Sequence, residues 1–170
     1  MRAAYEDTGV GATALAVLRY RKEGDTCTAT GCIKMQRKQP TRKAASTPGV
    51  YLLWLELPRQ SRLTVGKLGT FDFPPGVYVY TGSALGGLEQ RLARHRRRRK
   101  KMHWHIDYLL RHAHIVRITA QATRRRLECL WNARTMRLAG ARVVAPRFGS
   151  SDCDCPTHLV YLGEKQHGYL

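Results

Sequence analysis

The pattern of apolar and polar residues changes near Pro48. Residues 50–55 are nearly all apolar, β-branched or aromatic, which predicts a strand that is buried on both faces. Shorter runs of this kind predict further strands at 63–65, 69–73, 77–80, 115–119 and 158–162, separated by glycine and proline turns. Helical spacing of apolar residues predicts helices at 87–101, 106–112 and 126–138. These elements indicate one α/β domain that begins near Pro48.

Two of the predicted helices have a defined inward side. In the first, Leu88 and Leu92 form one stripe, and Arg91 and His95 form a neighbouring stripe. In the third, the side chains expected to face the core are Leu127, Leu130, Trp131 and Leu138. The first helix therefore places a cation beside apolar packing, where an unpaired charge is costly. Arg91 and His95 are candidates for a functional role.

Residues 1–46 differ in composition from the rest of the chain. Their apolar residues are scattered, and 34–47 consists mostly of Lys, Arg, Gln, Pro, Ser and Thr with no helix-like or strand-like period. We predict a loosely ordered basic arm at 1–46, the folded domain at 47–163 and a short C-terminal tail at 164–170.

The net charge of the chain indicates a polyanionic partner. Thirty Lys and Arg residues against twelve Asp and Glu residues give a formal charge of +18, and such an excess repels itself unless a polyanion is close. Arginine predominates in the densest runs, and its planar guanidinium grips phosphate in two places, which favours nucleic acid over a membrane surface. Phosphate contacts are expected from Lys67, Ser83, Arg94, Arg97, Arg98, Lys100 and Lys101.

The cysteines and the length of the apolar runs bear on the compartment. The chain has five cysteines, an odd number, and it is long enough to form a core without disulfides. No apolar run approaches the roughly 20 residues that span a bilayer, and the first residues do not form a signal-peptide pattern. A cytoplasmic protein that does not enter a membrane is therefore expected.

Two short motifs carry a resemblance to a known family. Residues 49–51, Gly-Val-Tyr, and residues 80–82, Tyr-Thr-Gly, resemble the two halves of the motif that defines the GIY-YIG nucleases. Arg91 and His95 lie where that family has its helix arginine and a histidine one turn later, and Glu128 fits its metal-binding acid. The resemblance implies a small, mostly antiparallel sheet flanked by helices.

Five longer motifs identify the subgroup. The segments are VGKLG, YTGSALGGL, RLARH, HWHIDYL and FGSSDC, at 65–69, 80–88, 91–95, 103–109 and 148–153. Their order over about 49–161 is similar to the GIY-YIG subgroup once known as the domain of unknown function 123, which is related to Uri-type endonucleases.

The resemblance implies a metal-dependent endonuclease that hydrolyses phosphodiester bonds in DNA. Glu128 would hold one Mg²⁺ or Mn²⁺ ion, Tyr51 would help to deprotonate water, and Arg91 would neutralise charge on the phosphate. Tyr80 and His95 would position phosphate and water. Because a tyrosine with a pKa of ~10 is a poor base at neutral pH, the metal and Arg91 would have to lower the pKa of Tyr51.

A second group of potential metal ligands lies late in the domain. Cys153, Cys155 and His158 are close in sequence and could bind zinc, but their spacing is not that of the usual paired-cysteine knuckle. We favour another interpretation, in which polar side chains of the HWHIDYL motif hydrogen-bond the loop at 149–155 and support the active site. This supporting role is assigned to His105, Asp107 and Asp152.

Simpler interpretations stand beside the catalytic one. Tyr51 could be an aromatic residue of a buried strand, Glu128 an ordinary surface acid beside the arginines at 124–126, and Lys67 a solvated turn residue. The alternative function is a non-catalytic nucleic-acid-binding or DNA-repair accessory module on the same fold. The chain shows no zinc-finger or helix-turn-helix motif, so we expect low sequence specificity, or specificity supplied by a protein partner.

Overall fold

Two long strands at the centre of the sheet carry much of the apolar sequence. The computed structural model describes residues 46–164, so the predicted arm and tail lie outside the described residues except for Ser46 and Glu164. The strands are β1 (Gly49–Leu57), β2 (Ser61–Thr64), β3 (Thr70–Phe73), β4 (Gly76–Ala84), β5 (His114–Ala122), β6 (Arg142–Val143) and β7 (Leu159–Gly163). The helices are α1 (Leu88–Arg96), α2 (His105–Leu109) and α3 (Glu128–Thr135).

The main sheet has five strands in the order β5-β1-β4-β7-β6, and every neighbouring pair is antiparallel. Strands β2 and β3 form a separate hairpin, and the helices flank the sheet. This architecture confirms the predicted α/β class with a mostly antiparallel sheet. The edge strand β6 was not predicted, because two residues are too few to show a period.

The apolar core lies on one face of the sheet. Alternate residues of β1, from Tyr51 to Leu57, are buried there together with Leu88 and Leu92 of α1. The other face carries a smaller cluster, against which Leu52 and Trp54 are only partly buried. The prediction that β1 is buried on both faces is therefore wrong for the second face, because less apolar surface covers it.

All three helices are shorter than predicted. Helix α1 ends at Arg96 rather than at Lys101, α2 spans His105–Leu109 and α3 spans Glu128–Thr135. Within residues 46–164, no helix combines the length and apolarity that crossing a membrane requires.

The early end of α1 has a local cause. Arg97 already has extended backbone geometry, with ψ of 123°. The ammonium group of Lys100 then turns back to donate hydrogen bonds to the carbonyl oxygens of Arg94 and His95. Because Lys100 satisfies carbonyls that the next helical turn would have used, the basic run leaves the helix after Arg96.

Helix α3 packs with a different side than predicted. Leu130 and Leu138 were expected to face inward, but they are 49% and 38% exposed. The buried residues of α3 are Asn132 and Thr135. The side-chain amide of Asn132 donates to the carbonyl oxygen of Thr157 at 2.7 Å, so a polar contact with the segment before β7, rather than apolar burial, sets the rotation of this helix.

Candidate active site

Tyr51 lies in the middle of the sheet and points towards α1. Its hydroxyl group lies 2.7 Å from Nε2 of His95, the last buried residue of that helix. Across the sheet, Tyr51 pairs with Gly82 of β4. A Cβ atom at Gly82 would lie 2.5 Å from the Tyr51 hydroxyl oxygen, so only glycine leaves room for the ring here.

The ionisation of this pair follows from its burial. Burial raises the pKa of Tyr51 well above its ordinary value; the neighbouring Tyr80 and Glu128 act in the same direction, and Arg91 opposes them. Burial, with a smaller contribution from Lys100, lowers the pKa of His95 to about 4. Both side chains are therefore neutral at pH 7, and they share one hydrogen bond whose donor is set by the tautomer of His95.

Tyr80 borders an open cleft beside this pair. The cleft has a volume of about 270 Å³ and is lined by Tyr80, His103, Trp104, His105, Gly149, Ser151 and Asp152. The Tyr80 ring lies edge-on to the rings of His95 and Phe148. Burial raises the pKa of Tyr80; Glu128 adds to this and Arg91 opposes it. Both tyrosines thus lie within the electrostatic influence of the same acid and the same arginine.

Arg91 is held by an aromatic ring that was not among the predicted site residues. Its guanidinium carbon lies 4.1 Å from the centre of the Trp104 ring, and that of Arg94 lies 4.4 Å from the same ring. Cation–π contacts of this kind contribute roughly 0.5–2 kcal/mol, more when they are desolvated. Trp104 therefore fixes the position of Arg91 relative to the cleft.

Trp104 is in turn positioned by Asp107. One carboxylate oxygen of Asp107 accepts hydrogen bonds from the backbone N–H groups of His103 and Trp104 and from Arg94 at 2.8 Å. The other lies 3.1 Å from the ammonium group of Lys100. Burial alone would raise the pKa of Asp107, but the hydrogen bonds from Trp104, Lys100 and His103 outweigh it and lower that pKa.

These contacts change the interpretation of several predicted residues. Asp107 was expected to hydrogen-bond the loop at 149–155, whereas its partners lie on α1 and the segment after it. His105 does contact that loop, since its Nδ1 accepts a hydrogen bond from the Gly149 N–H. Arg94 and Lys100 were expected at the phosphate backbone, but both bind Asp107, and the Lys100 side chain is only 6% exposed.

The remaining predicted basic residues are exposed, and two of them, Arg97 and Arg98, line a groove that includes His95. Arg97, Arg98 and Lys101 are exposed, as is Lys67 in the β2–β3 turn. A groove of about 410 Å³ runs between Arg96–Arg98 and Arg111 with His114, and His95 forms part of its wall. The prediction did not include Arg111 because it is distant from the basic run in sequence.

Glu128 is the first residue of α3 and points at β4. One carboxylate oxygen accepts a hydrogen bond from the Ser83 hydroxyl at 2.7 Å, and the other lies 3.2 Å from Nδ1 of His158. The Glu128 side chain remains 22% exposed. Ser83, which was predicted to contact nucleic acid, is therefore a neighbour of the candidate metal-binding acid.

Next to Glu128, a cluster of thiols and an imidazole could hold a metal ion. The ligand atoms of Cys129, Cys153, Cys155 and His158 all lie within 4.8 Å of one another. Burial and the two neighbouring thiols raise the pKa of Cys129 to about 12. Sequence spacing shows Cys153, Cys155 and His158 but not Cys129, which α3 brings to them from elsewhere in the chain.

Comparison with known families returned one match, and its description is domain of unknown function DUF123. The match covers residues 50–169. Searches among curated proteins and among solved structures returned no match.

Proposed function

The chain belongs to the DUF123 family, and from its site we propose that it is a GIY-YIG endonuclease of the Uri type that hydrolyses phosphodiester bonds in DNA. The observation that carries the proposal is the buried hydrogen bond of 2.7 Å between Tyr51 and His95. The charge of Arg91 lowers the pKa of Tyr51 and of Tyr80, and the charge of Glu128 raises both. A proton acceptor, a cation and a carboxylate that act on the same pair of tyrosines are the groups that phosphodiester hydrolysis needs.

The Tyr51–His95 pair supplies a path for the proton of the attacking water. Tyr51 is neutral and buried, so it is a poor base while it keeps its own proton. In the tautomer of His95 that carries its hydrogen on Nδ1, Nε2 accepts the hydrogen bond of Tyr51. The Tyr51 hydroxyl can then take a proton from water as it passes its own proton to Nε2. Because burial and Lys100 lower the pKa of His95 to about 4 in the free protein, the phosphate anion would have to stabilise the imidazolium ion until His95 returns the proton after hydrolysis. This shared route replaces direct ionisation of Tyr51.

Arg91 neutralises the phosphate as negative charge develops on it. The guanidinium group is held over Trp104, so little side-chain freedom is lost when it meets the phosphate. Arg91 is only partly buried, so its guanidinium group remains accessible to a phosphate. Electrostatic groups that are already in position at a developing charge contribute the largest share of many enzymatic accelerations.

Glu128 is suited to hold one Mg²⁺ or Mn²⁺ ion. Each of its oxygens has one polar neighbour, Ser83 or His158, and a carboxylate accepts about four hydrogen bonds or metal contacts in all. Mg²⁺ prefers oxygen ligands and keeps several waters, so a single partly exposed carboxylate fits it. Bound there, the ion would supply Lewis-acid stabilisation of the phosphate and of the leaving oxygen.

The exposed cations provide the binding surface. His95 lines the groove at Arg96–Arg98 and Arg111, and Trp104 lines the cleft. Because the rings of His95 and Trp104 are 5.9 Å apart, one DNA backbone that follows the groove would also reach the cleft. Binding through these side chains should weaken steeply with salt, because each phosphate contact releases counterions.

The test is a cleavage assay with matched variants. Labelled single-stranded, duplex and branched DNA are incubated with the full chain and Mg²⁺, Mn²⁺ or no added divalent ion. Tyr51→Phe should lower the cleavage rate by roughly 10²–10⁴-fold with DNA affinity unchanged, and Glu128→Gln should remove metal-dependent cleavage. The controls are Tyr161→Phe, which loses a buried tyrosine hydrogen bond to Pro75 away from the site, and Glu89→Gln, which alters an exposed acid.

The outcomes separate the two functions. Cleavage that requires a divalent ion and is lost in Tyr51→Phe and Glu128→Gln, but not in the controls, supports the nuclease. Salt-sensitive binding to DNA with no cleavage of any of these substrates would instead support the accessory module. Cleavage that persists in both site variants would come from other residues or from a contaminating enzyme, and it would overturn the assignment.

A further inference from the structure

Three cysteines and a histidine meet beside Glu128 without a role in the proposed hydrolysis. We propose that Cys129, Cys153, Cys155 and His158 bind one structural zinc ion, and that Glu128 orients His158 within that site. The proposal concerns metal binding by the free protein and does not depend on nuclease activity.

The distances fit a tetrahedral site. Nε2 of His158 lies 3.4 Å from Sγ of Cys153, and all four ligand atoms lie within 4.8 Å of one another. A tetrahedral zinc ion with Zn–S of about 2.3 Å and Zn–N of about 2.0 Å separates sulfur from nitrogen by about 3.5 Å and sulfur from sulfur by about 3.8 Å. Contraction by less than about 1 Å between the most distant atoms would therefore complete the site. Three thiolates and one imidazole are a ligand set typical of structural zinc and leave no open position.

His158 has the arrangement expected of a zinc ligand. It is 1% exposed, its Nε2 faces the thiols, and its buried Nδ1, which has no well-aligned hydrogen bond, lies 3.2 Å from the Glu128 carboxylate, to which a small rotation of the ring would let it donate. Histidines that bind zinc commonly donate their other N–H to a carboxylate, which fixes the tautomer and strengthens the ligand. Glu128 therefore contacts Ser83 of β4 through one oxygen and approaches the cysteine and histidine cluster through the other.

The loop that carries two of the thiols is held in place by an arginine. The Arg147 guanidinium donates to the carbonyl oxygens of Cys153 and Cys155. The Arg147 backbone N–H also contacts the carbonyl oxygen of Pro156, and the His158 N–H donates to that of Phe148. These bonds fix the backbone around both cysteines, so less entropy is lost when a metal binds.

The site would connect two parts of the fold. Cys129 belongs to the first turn of α3, whereas the other ligands belong to the loop before β7. A zinc ion bound to all four would tie this turn to the sheet, and it would hold the adjacent Glu128 as well. Metal binding and the geometry of the proposed catalytic acid are thereby linked.

The experiment measures zinc in the untagged full chain, purified without chelators. Elemental analysis should give about one zinc per chain, and Co²⁺ exchanged into the site should show the visible and near-ultraviolet bands of a tetrahedral thiolate complex. Cys129→Ser should lose the zinc without affecting the core, since Cys129 is exposed. The matched control is Cys32→Ser, which alters a cysteine outside the four proposed ligands and should keep the zinc.

Other results would overturn the site. The proposal would be overturned if the purified chain contained no zinc and gave no cobalt spectrum. It would also be overturned if Cys129→Ser contained as much zinc as wild type. Thiol titration of the denatured, unreduced protein after metal removal should find all five thiols; a count lower by two would reveal a disulfide in place of a metal site.

The role of Glu128 has its own readout. In competition with a chelator, Glu128→Gln should weaken zinc affinity by roughly 10–100-fold, whereas Glu89→Gln should leave it unchanged. Unchanged affinity in Glu128→Gln would overturn the link between Glu128 and the zinc site. Because neither measurement uses DNA, failure of the zinc proposal and failure of the nuclease proposal can be told apart.

Discussion

Removing the negative charge of Asp107 should lower the stability of the domain strongly. Its carboxylate is fully buried and contacts Arg94, Lys100 and two backbone N–H groups. Asp107→Asn keeps the shape of the side chain but removes the negative charge. The Lys100 ammonium group then stays in a nearly closed environment without a counterion.

The expected loss in the free energy of unfolding follows from the burial of the Asp107 and Lys100 charges. Removing one partner of a buried ion pair typically costs roughly 3–5 kcal/mol, because the remaining charge is left uncompensated. An exposed pair contributes only about 0–1 kcal/mol. The chain contains such a pair in Arg62 and Asp72, which are 3.7 Å apart with both side chains mostly exposed. Asp72→Asn is therefore the matched control, and its free energy of unfolding should stay within about 1 kcal/mol of wild type.

The assay is urea unfolding followed by tryptophan fluorescence and circular dichroism. Asp107→Asn should lower the unfolding midpoint strongly and Asp72→Asn hardly at all. Adding Lys100→Met to Asp107→Asn should restore part of the loss, because the unpaired ammonium group is gone. If Asp107→Asn unfolds at the same urea concentration as Asp72→Asn, the buried network does not stabilise the fold and our account of how Trp104 is positioned fails.

Three further predictions concern the candidate site. Gly82→Ala should displace Tyr51, lower the free energy of unfolding by roughly 1–3 kcal/mol and remove most of the cleavage activity. Gly86→Ala should unfold like wild type, because an added Cβ there would meet nothing within 4 Å, and equal unfolding midpoints for the two variants would contradict this. The pKa of His95 is lowered to about 4 in the fold from about 6.5 in the unfolded chain, so the free energy of unfolding should fall by about 3 kcal/mol as the pH drops from 6.5 to 4. The free energy of unfolding of His95→Gln should depend less on pH in this range, and the same pH dependence as wild type would show that His95 is not buried in its neutral form. Trp104→Leu should lower the cleavage rate of bound DNA at least tenfold with little change in the dissociation constant for DNA, because Arg91 loses its aromatic support. A weaker affinity for DNA with an unchanged cleavage rate would show that Trp104 acts in binding instead.

Patterns within short segments were enough to predict six of the strands and the α/β class, whereas the mostly antiparallel sheet followed from the resemblance to the GIY-YIG nucleases. The runs of β-branched, aromatic and other apolar residues in β1 and β4 reflect burial of neighbouring residues in one strand, which a sequence displays directly. The ordered motifs indicated Tyr51, His95 and Arg91 together, and the structure brings the first two into contact.

Contacts between distant segments could not be predicted in the same way. The end of α1 depends on Lys100 folding back, and the rotation of α3 depends on a hydrogen bond between Asn132 and Thr157. Cys129 joins two other cysteines only because α3 is placed beside their loop. In each case the deciding partner is distant in the chain or reached through an irregular turn, and no local period records it.

The position of the first turn of α3 depends on the number of residues in the loop that precedes it. Glu128 and Cys129 are consecutive residues, yet one carboxylate contacts β4 and the adjacent thiol lies in the cysteine cluster. One added or deleted residue among the exposed arginines at 124–126 would rotate the start of the helix by about 100° and misdirect both side chains at once. Surface loops usually tolerate insertions and deletions, but in this one the number of residues should matter more than their identity.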